Sequence, residues 1–393
     1  MNRKNKMARP GEPKIRIAYV LRTEMRAGVE EHVLSLIQRL NPDRFQTYLV
    51  APPNLIDAFG DDLTATNAVL FPLKLKNYLD VKGMLNFMLF LRRSKIHIVN
   101  THMFFTSFYY SPFARLAGVP VLIETSHGVE KWRLGKGFMK RHSFIIDRSL
   151  AMLQTKILAV SHACKRDLVT IKKITADRIV VVQNGRDLET FSPVLFSKLR
   201  ELRRQFFIKN EDYVFGVLAR LDFQKGHKYF FDAVHLLAGK RNDFKVLVVG
   251  DGSLREELEK QVSALGIQDM VVFTGFQSNI SGFLGIMDVM VLPSLYEGLP
   301  LGVIEASAME KPVIATAVDG TPEVVVNNET GLLVPPKDPP SLFSAMMYAI
   351  DHKDKMREMG RKGRQFVMKH FTLDRQIRET ERIYEVCLGL RKD

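Results

Sequence analysis

Cysteine is almost absent. Cys164 and Cys387 are the two among 393 residues. That excludes a disulfide framework and a cysteine-built metal cluster, and it suits a reducing compartment. Long apolar runs are missing as well. The most apolar helical stretch, Met84 to Leu91, is far too short to cross a bilayer. Residues 1–14 are polar and basic with no apolar centre, so they are expected to form a flexible tail and not a secretory signal. No zinc-ligand spacing, RNA-binding aromatic motif or internal repeat occurs. A nucleic-acid role therefore rests on charge alone.

What is present is an ordinary globular composition, 46% hydrophobic and 25% charged, which suggests neither disorder nor a membrane span. The length suits two domains. The net charge of +14 is unevenly placed: residues 1–200 carry 32 Lys+Arg against 16 Asp+Glu, whereas residues 201–393 carry 25 against 27. A basic half points to nucleic acid, an anionic membrane surface or an acidic small ligand.

The chain is organised around Asp288 to Leu333. Val289 to Leu292 reads as a buried parallel strand, ended by Pro293 and Ser294. Gly298, Pro300 and Gly302 are turn residues, and Val303 to Met309 reads as helix. A loop at a strand's carboxyl end thus feeds a helix N-terminus. Open α/β sheets bind ligands there, and the free N–H groups and helix dipole favour an anion, above all a phosphate. Glu297 lies in the loop and Glu305 eight residues on, inside the helix. Carboxylates there accept bonds from hydroxyls, so the set looks like a reader of a sugar, a diphosphate and a ribose. By spacing alone, Glu297 could equally cap the helix and Glu305 face solvent.

This stretch resembles the Glu-x7-Glu signature of the retaining nucleotide-sugar glycosyltransferases of family 4, which have the two-domain GT-B fold. The resemblance implies that Glu297 meets the donor sugar and Glu305 the ribose. Gly298, Leu299, Pro300 and Leu301, between the two acids, would bind the donor. Further motifs fall in the family's order. Arg22 to Gly28, after a strand over Ile15 to Leu21, is similar to the Gly-Gly loop that touches the donor diphosphate. Ala27 stands where the first glycine usually lies, and its methyl group is expected to restrict the backbone or its approach to phosphate. Ser126-His127-Gly128 resembles the His-Gly whose histidine faces the donor sugar; His102 follows another strand end. Asn184-Gly-Arg-Asp187 to Pro193 resembles the interdomain linker. Arg220 to Gly226 resembles the Gly-Arg-Leu…Lys-Gly motif, with Ala219 in place of glycine. Two cations five apart, Arg220 and Lys225, can converge on one diphosphate. Phe273-Thr-Gly275-Phe276 resembles the base-binding loop, which assigns Phe273 and Gly275 to the donor.

Strands and helices alternate throughout, which argues a parallel doubly wound sheet. The expected fold class is α/β, with two Rossmann-like doubly wound domains facing across a cleft. The expected segments are a tail over 1–14, an N-terminal acceptor-side domain over 15–191, a C-terminal nucleotide-sugar domain over 192–372, and a helix over 373–393 that crosses back to the N-terminal domain. The expected reaction moves a hexosyl group from a UDP-, GDP- or ADP-sugar to a sugar or lipid-linked acceptor hydroxyl, in cell-surface polysaccharide or glycolipid synthesis. His127, Arg220, Lys225 and Glu297 are the expected catalytic residues. The leaving diphosphate gathers negative charge that Arg220, Lys225 and helix N–H groups can stabilise. No Asp-x-Asp occurs, so this account needs no metal and no cofactor. The resemblance implies retention, and a front-face route fits, because no carboxylate pair can be assigned to a double displacement. A sugar-nucleotide epimerase of the same fold, a catalytically silent sugar-nucleotide binder and a nucleic-acid binder are the alternatives; no nucleic-acid partner is expected.

One basic segment carries a separate expectation. Lys131 to Ile146 holds five Lys+Arg and no acid, interleaved with Trp132, Phe138, Met139, Phe144 and Ile145. Such a segment can lie on an anionic leaflet, each cation contributing about 1 kcal/mol. The alternative is that the apolar residues are helix core and the cations a solvated face. The expected location is cytoplasmic, with peripheral docking on the inner face of the membrane.

Overall fold

A computed structural model describes residues 13–24, 26–75, 80–128, 138–191 and 196–392, and only the backbone at 138–144 and 196–197. Most of the basic tail, most of the 131–146 segment and the expected boundary at Ser192 lie outside the described residues and side chains. The chain divides into two compact units. One runs to Asn184 and takes in the stretch from Asp374 onward; the other is Gly185–Leu373.

The first unit is built on a seven-stranded sheet. In chain order its strands are β1 (Ile15–Val20), β2 (Phe45–Ala51), β3 (Val69–Pro72), β4 (Ile98–His102), β5 (Val121–Ser126), β6 (Lys156–Ala159) and β7 (Ile179–Val181). Every pairing is parallel, in the spatial order β3-β2-β1-β4-β5-β6-β7. The inner strands are largely buried on both faces because helices cover both. Residues 17–20 and 121–126 are buried throughout. β3 is different. It sits at the edge with Val69 and Leu70 exposed, and its four residues bear no buried pattern, so sequence periodicity passes over it.

Helix α1 (Gly28–Arg39) buries His32, Val33, Leu34, Leu36 and Ile37 on one face, the spacing of an amphipathic helix. The last helix, α16 (Leu373–Cys387), belongs almost wholly to this unit. Its Tyr384 hydroxyl donates to Asn100 Oδ1 at 2.7 Å and lies 3.1 Å from the Tyr19 hydroxyl. All three groups are buried, so the network satisfies polar atoms that would otherwise be costly inside the core.

The second unit repeats the plan with six parallel strands. These are β8 (Tyr213–Leu218), β9 (Phe244–Val249), β10 (Val271–Gly275), β11 (Val289–Leu292), β12 (Val313–Thr316) and β13 (Gly331–Val334), in the order β10-β9-β8-β11-β12-β13. β8 and β11 pair through Phe215 and Val289. The core gathers Phe215, Phe230, Phe231, Phe244, Val246, Val289, Ile314 and Met346, all almost fully buried. In each sheet the strand order reverses once, between β1 and β4 and between β8 and β11. Those reversal points are where a doubly wound sheet opens a crevice at its carboxyl edge. Among the described residues no helix is long and apolar enough to cross a membrane.

Candidate active site

In the second unit the reversal point brings together the loops after β8 and β11. The first loop holds Arg220, Lys225 and Gly226; the second holds Ser294 to Pro300. Backbone and side chains lock them together. Leu295 N donates to Gln224 O at 2.7 Å, and Gln224 Nε2 donates to Tyr296 O at 2.9 Å. Gly226 adopts φ +66°, and a Cβ there would lie 2.1 Å from the Pro293 carbonyl oxygen. Only glycine permits both the left-handed angle and so close an approach.

Lys225 Nζ donates to Glu297 Oε1 at 2.6 Å, and Ser294 Oγ donates to the same oxygen at 2.7 Å. Glu297 N donates to Asp319 Oδ2 at 2.9 Å. Glu297 is buried, so the loop is fixed by a desolvated, charge-assisted contact. It does not cap the following helix, whose N-cap is Pro300. Arg220 behaves differently. Its side chain is 60% exposed and contacts Asp222 Oδ2 at 3.0 Å, which leaves an exposed cation at the end of β8.

Helix α12 (Leu301–Ala308) starts within the expected turn, two residues ahead of Val303. Leu299 and Pro300 are buried, and Gly298 and Leu301 are half-buried. Glu305 is also buried, not solvated. Its partner is Arg186, whose Nε donates to Glu305 Oε1 at 2.6 Å. Arg186 was legible within the Asn184-Gly-Arg-Asp motif, but nothing in a one-dimensional sequence couples it to a residue 119 positions away. Asp319 and Ser294 were likewise not singled out by sequence.

Gly275 ends β10 at φ +72°, with a register shift between Phe273 and Gly275. Phe273 packs against the core, its ring 5.8 Å from that of Phe231 and beneath the Arg255 guanidinium at 5.0 Å. Phe276, at the strand's end, is the exposed ring. His227 opens the helix after Gly226. Burial first and the neighbouring Lys225 second lower its pKa to about 4, and neither ring nitrogen has a hydrogen-bond partner.

In the first unit Ala27 is the N-cap of α1 at φ −150° and ψ −167°, an extended conformation open to any residue. The expected backbone restriction from its methyl group is therefore not found. The Ala27 N–H donates to Glu30 Oε2 at 3.1 Å, and Thr23 Oγ1 donates to the other carboxylate oxygen. A carboxylate of the chain itself thus occupies this helix end. Gly28 begins the helix, and a Cβ there would meet nothing within 4 Å. His102 ends β4 and His127 follows β5. His102 Nδ1 lies 3.0 Å from His127 Nε2, and His32 of α1, which sequence reading passed over, packs edge-on against His127 at 4.9 Å between centroids. Burial and the neighbouring histidines hold His102 and His127 well below the ordinary imidazole pKa, so both rings are neutral at pH 7.

Comparison with known proteins gives this geometry its family. Residues 199–366 match the family model described as glycosyl transferases group 1, and residues 26–190 match the one described as glycosyltransferase family 4. The chain is a glycosyltransferase. Its fold is the GT-B type, with one Rossmann-like unit under each family model. This glycosyltransferase is 26% identical over 379 residues to the UDP-Gal:alpha-D-GlcNAc-diphosphoundecaprenol alpha-1,3-galactosyltransferase of Escherichia coli, covering 94% of this chain and 97% of that one. It is 26% identical over 322 residues to the capsular polysaccharide biosynthesis glycosyltransferase CapM of Staphylococcus aureus, covering 79% and 82%. Among solved structures, Anabaena Alr3699/HepE in complex with UDP and glucose superposes with a TM-score of 0.83 at 16% identity, covering 95% of this chain and all of that one.

Proposed function

We propose that this glycosyltransferase moves a hexosyl group from a nucleoside diphosphate sugar to an acceptor hydroxyl, with retention at the anomeric carbon and without a metal ion. The observation that carries the reading is the Lys225–Glu297 contact at the reversal point of the second sheet, with Arg220 exposed on the same loop as Lys225. Lys225 and Arg220 supply positive charge where a diphosphate would leave. Glu297, held by Lys225 and Ser294, presents a fixed carboxylate to sugar hydroxyls. Glu305, on the first turns of α12, is suited to the ribose, with Arg186 as the cation that holds it. Preorganised charge of this kind stabilises a departing diphosphate without reorganisation. In a front-face reaction, the bond from the anomeric carbon to the diphosphate oxygen breaks on the side from which the acceptor oxygen attacks. The leaving phosphate oxygen takes the acceptor's proton.

The activities of the relatives named above support a role in cell-surface polysaccharide or glycolipid synthesis, and that of the Escherichia coli enzyme supports a lipid-linked acceptor. A lipid-linked acceptor would suit peripheral docking at a membrane. The UDP and glucose in the Anabaena complex favour a UDP-sugar as the first donor to test.

The test is a melting experiment with UDP-, GDP- and ADP-sugars, followed by transfer assays with polyprenyl diphosphate sugars. A ligand that binds only the folded state raises Tm. One donor is expected to raise Tm and to be consumed only when acceptor is present. No shift with any of the donors would remove the reading. Conversion of the donor without acceptor would replace transfer by epimerisation.

A further inference from the structure

Three histidines converge at the carboxyl edge of the first unit's sheet, one each from α1, the end of β4 and the residue after β5. One ligand nitrogen from each of His32, His102 and His127 lies within 4.8 Å of the others. His102 Nδ1 and His127 Nε2 are 3.0 Å apart. The His32 ring packs edge-on against both, 5.4 Å from His102 and 4.9 Å from His127 between centroids. No second group of this kind occurs among the described residues. His102 is 1% exposed, and its Nε2 has no hydrogen-bond partner.

We propose that His32, His102 and His127 form a binding site for a divalent transition metal of the zinc class, one nitrogen from each ring. Three imidazoles suit zinc, copper or nickel; magnesium and calcium prefer oxygen. Zinc–nitrogen bonds of about 2.0–2.1 Å in tetrahedral geometry place ligand nitrogens about 3.3 Å apart. The His102–His127 contact needs to widen by only a few tenths of an ångström, and the widest separation has to close by on the order of 1.5 Å, which ring rotation supplies.

The protons balance without release. One proton lies between His102 Nδ1 and His127 Nε2 in the present pair. Metal binding uses both lone pairs, so that proton shifts to the other nitrogen of its ring, His102 Nε2 or His127 Nδ1. Three protein ligands leave a fourth position for water. The ion would occupy Nε2 of His127, the residue expected to face the donor sugar. Zinc should therefore inhibit transfer. That consequence rests on the proposed glycosyl transfer; the binding does not.

The experiment titrates the full chain, without donor, with ZnCl2 and CoCl2, followed by calorimetry and visible absorption. One equivalent of metal and the intense bands of four-coordinate Co2+ are expected, with no response to MgCl2. His32→Gln and His102→Gln should each weaken binding by more than about tenfold, the scale set by metal-site perturbations. Absence of stoichiometric binding, weak six-coordinate bands, or binding unchanged in both folded variants would overturn the site. Should a variant fail to fold, the wild-type Co2+ spectrum still decides. In a parallel assay, ZnCl2 should slow transfer and a chelator restore it. Binding with undiminished transfer would support the metal site and remove His127 from the donor sugar.

Discussion

Lys225 Nζ stands 2.6 Å from the Oε1 of Glu297, 72 positions on, and joins the loops after two neighbouring strands. The lysine side chain is 18% exposed and the glutamate's 6%. A pair so desolvated holds both groups in place, and each member depends on the other. Arg220, at the same strand end, has no such dependence because its side chain is mostly in water.

That contrast separates two variants. Arg220→Ala and Lys225→Ala are each expected to cost about 2–4 kcal/mol of transition-state stabilisation. Arg220→Ala should leave the urea midpoint nearly unchanged. Lys225→Ala strands a buried carboxylate and should lose about 3–5 kcal/mol of stability. Lys225→Ala combined with Glu297→Gln should recover part of that loss without recovering turnover. Near-normal rates in both single variants would take the diphosphate role away from this loop.

The two acids should fail differently. Glu305→Gln is expected to weaken nucleoside diphosphate binding by about 1.5–3 kcal/mol, the worth of a hydrogen bond to a charged group. Glu297→Gln should bind the nucleotide normally and turn over slowly. Arg186→Ala should follow Glu305→Gln, because it releases that carboxylate. Calorimetry that showed the reverse pattern would exchange the assignments.

Gly226→Ala should destabilise the second unit by more than about 1 kcal/mol, because a residue with a Cβ meets both a left-handed φ and a clash with the Pro293 carbonyl. Gly239→Ala is the control. Its φ is −69°, and its Cβ would stand at an ordinary 3.5 Å from Leu236 O. Equal melting temperatures for the two variants would mean that the loops are not clamped at Gly226.

His227 predicts a pH dependence. Its native pKa of about 4 lies below the ordinary imidazole value of 6.5, so between these values the unfolded state binds the extra proton. The contribution is fully present above pH 6.5 and is lost as pH falls toward 4, by about 3 kcal/mol at most. His227→Gln removes this titration. The stability difference between pH 7 and pH 4.5 should be smaller in that variant than in the wild type; an unchanged difference would show that the ring is not held neutral.

If Arg220, Lys225 and helix N–H groups meet the charge on the leaving diphosphate as proposed, transfer should survive EDTA. Loss of activity that magnesium alone restores would contradict the metal-free account.

The alternation of apolar strands and amphipathic helices is local and periodic, so both doubly wound sheets were legible. The strands expected over Ile15 to Leu21 and Val289 to Leu292 are found at Ile15–Val20 and Val289–Leu292. Burial on both faces writes itself into a continuous apolar run. The edge strand Val69–Pro72 left no such mark because half its surface faces water. The loop after β11 was legible for the same local reason: Gly298 and Pro300 announce a turn, and a helix follows.

Composition and periodicity determined the two-unit α/β plan, and the ordered motifs pointed to the strand ends that carry the polar groups. Pairing was decided by tertiary structure alone. Nothing local says that Glu305 meets Arg186, that Glu297 takes Lys225 instead of capping its own helix, or that Phe273 turns inward while Phe276 stays out. His32, His102 and His127 lie on three elements of different sequence distance, and only the parallel stacking of β1, β4 and β5 brings those elements side by side. Backbone propensity acts over a few residues, whereas a buried charge or imidazole finds its partner wherever the sheet order delivers one.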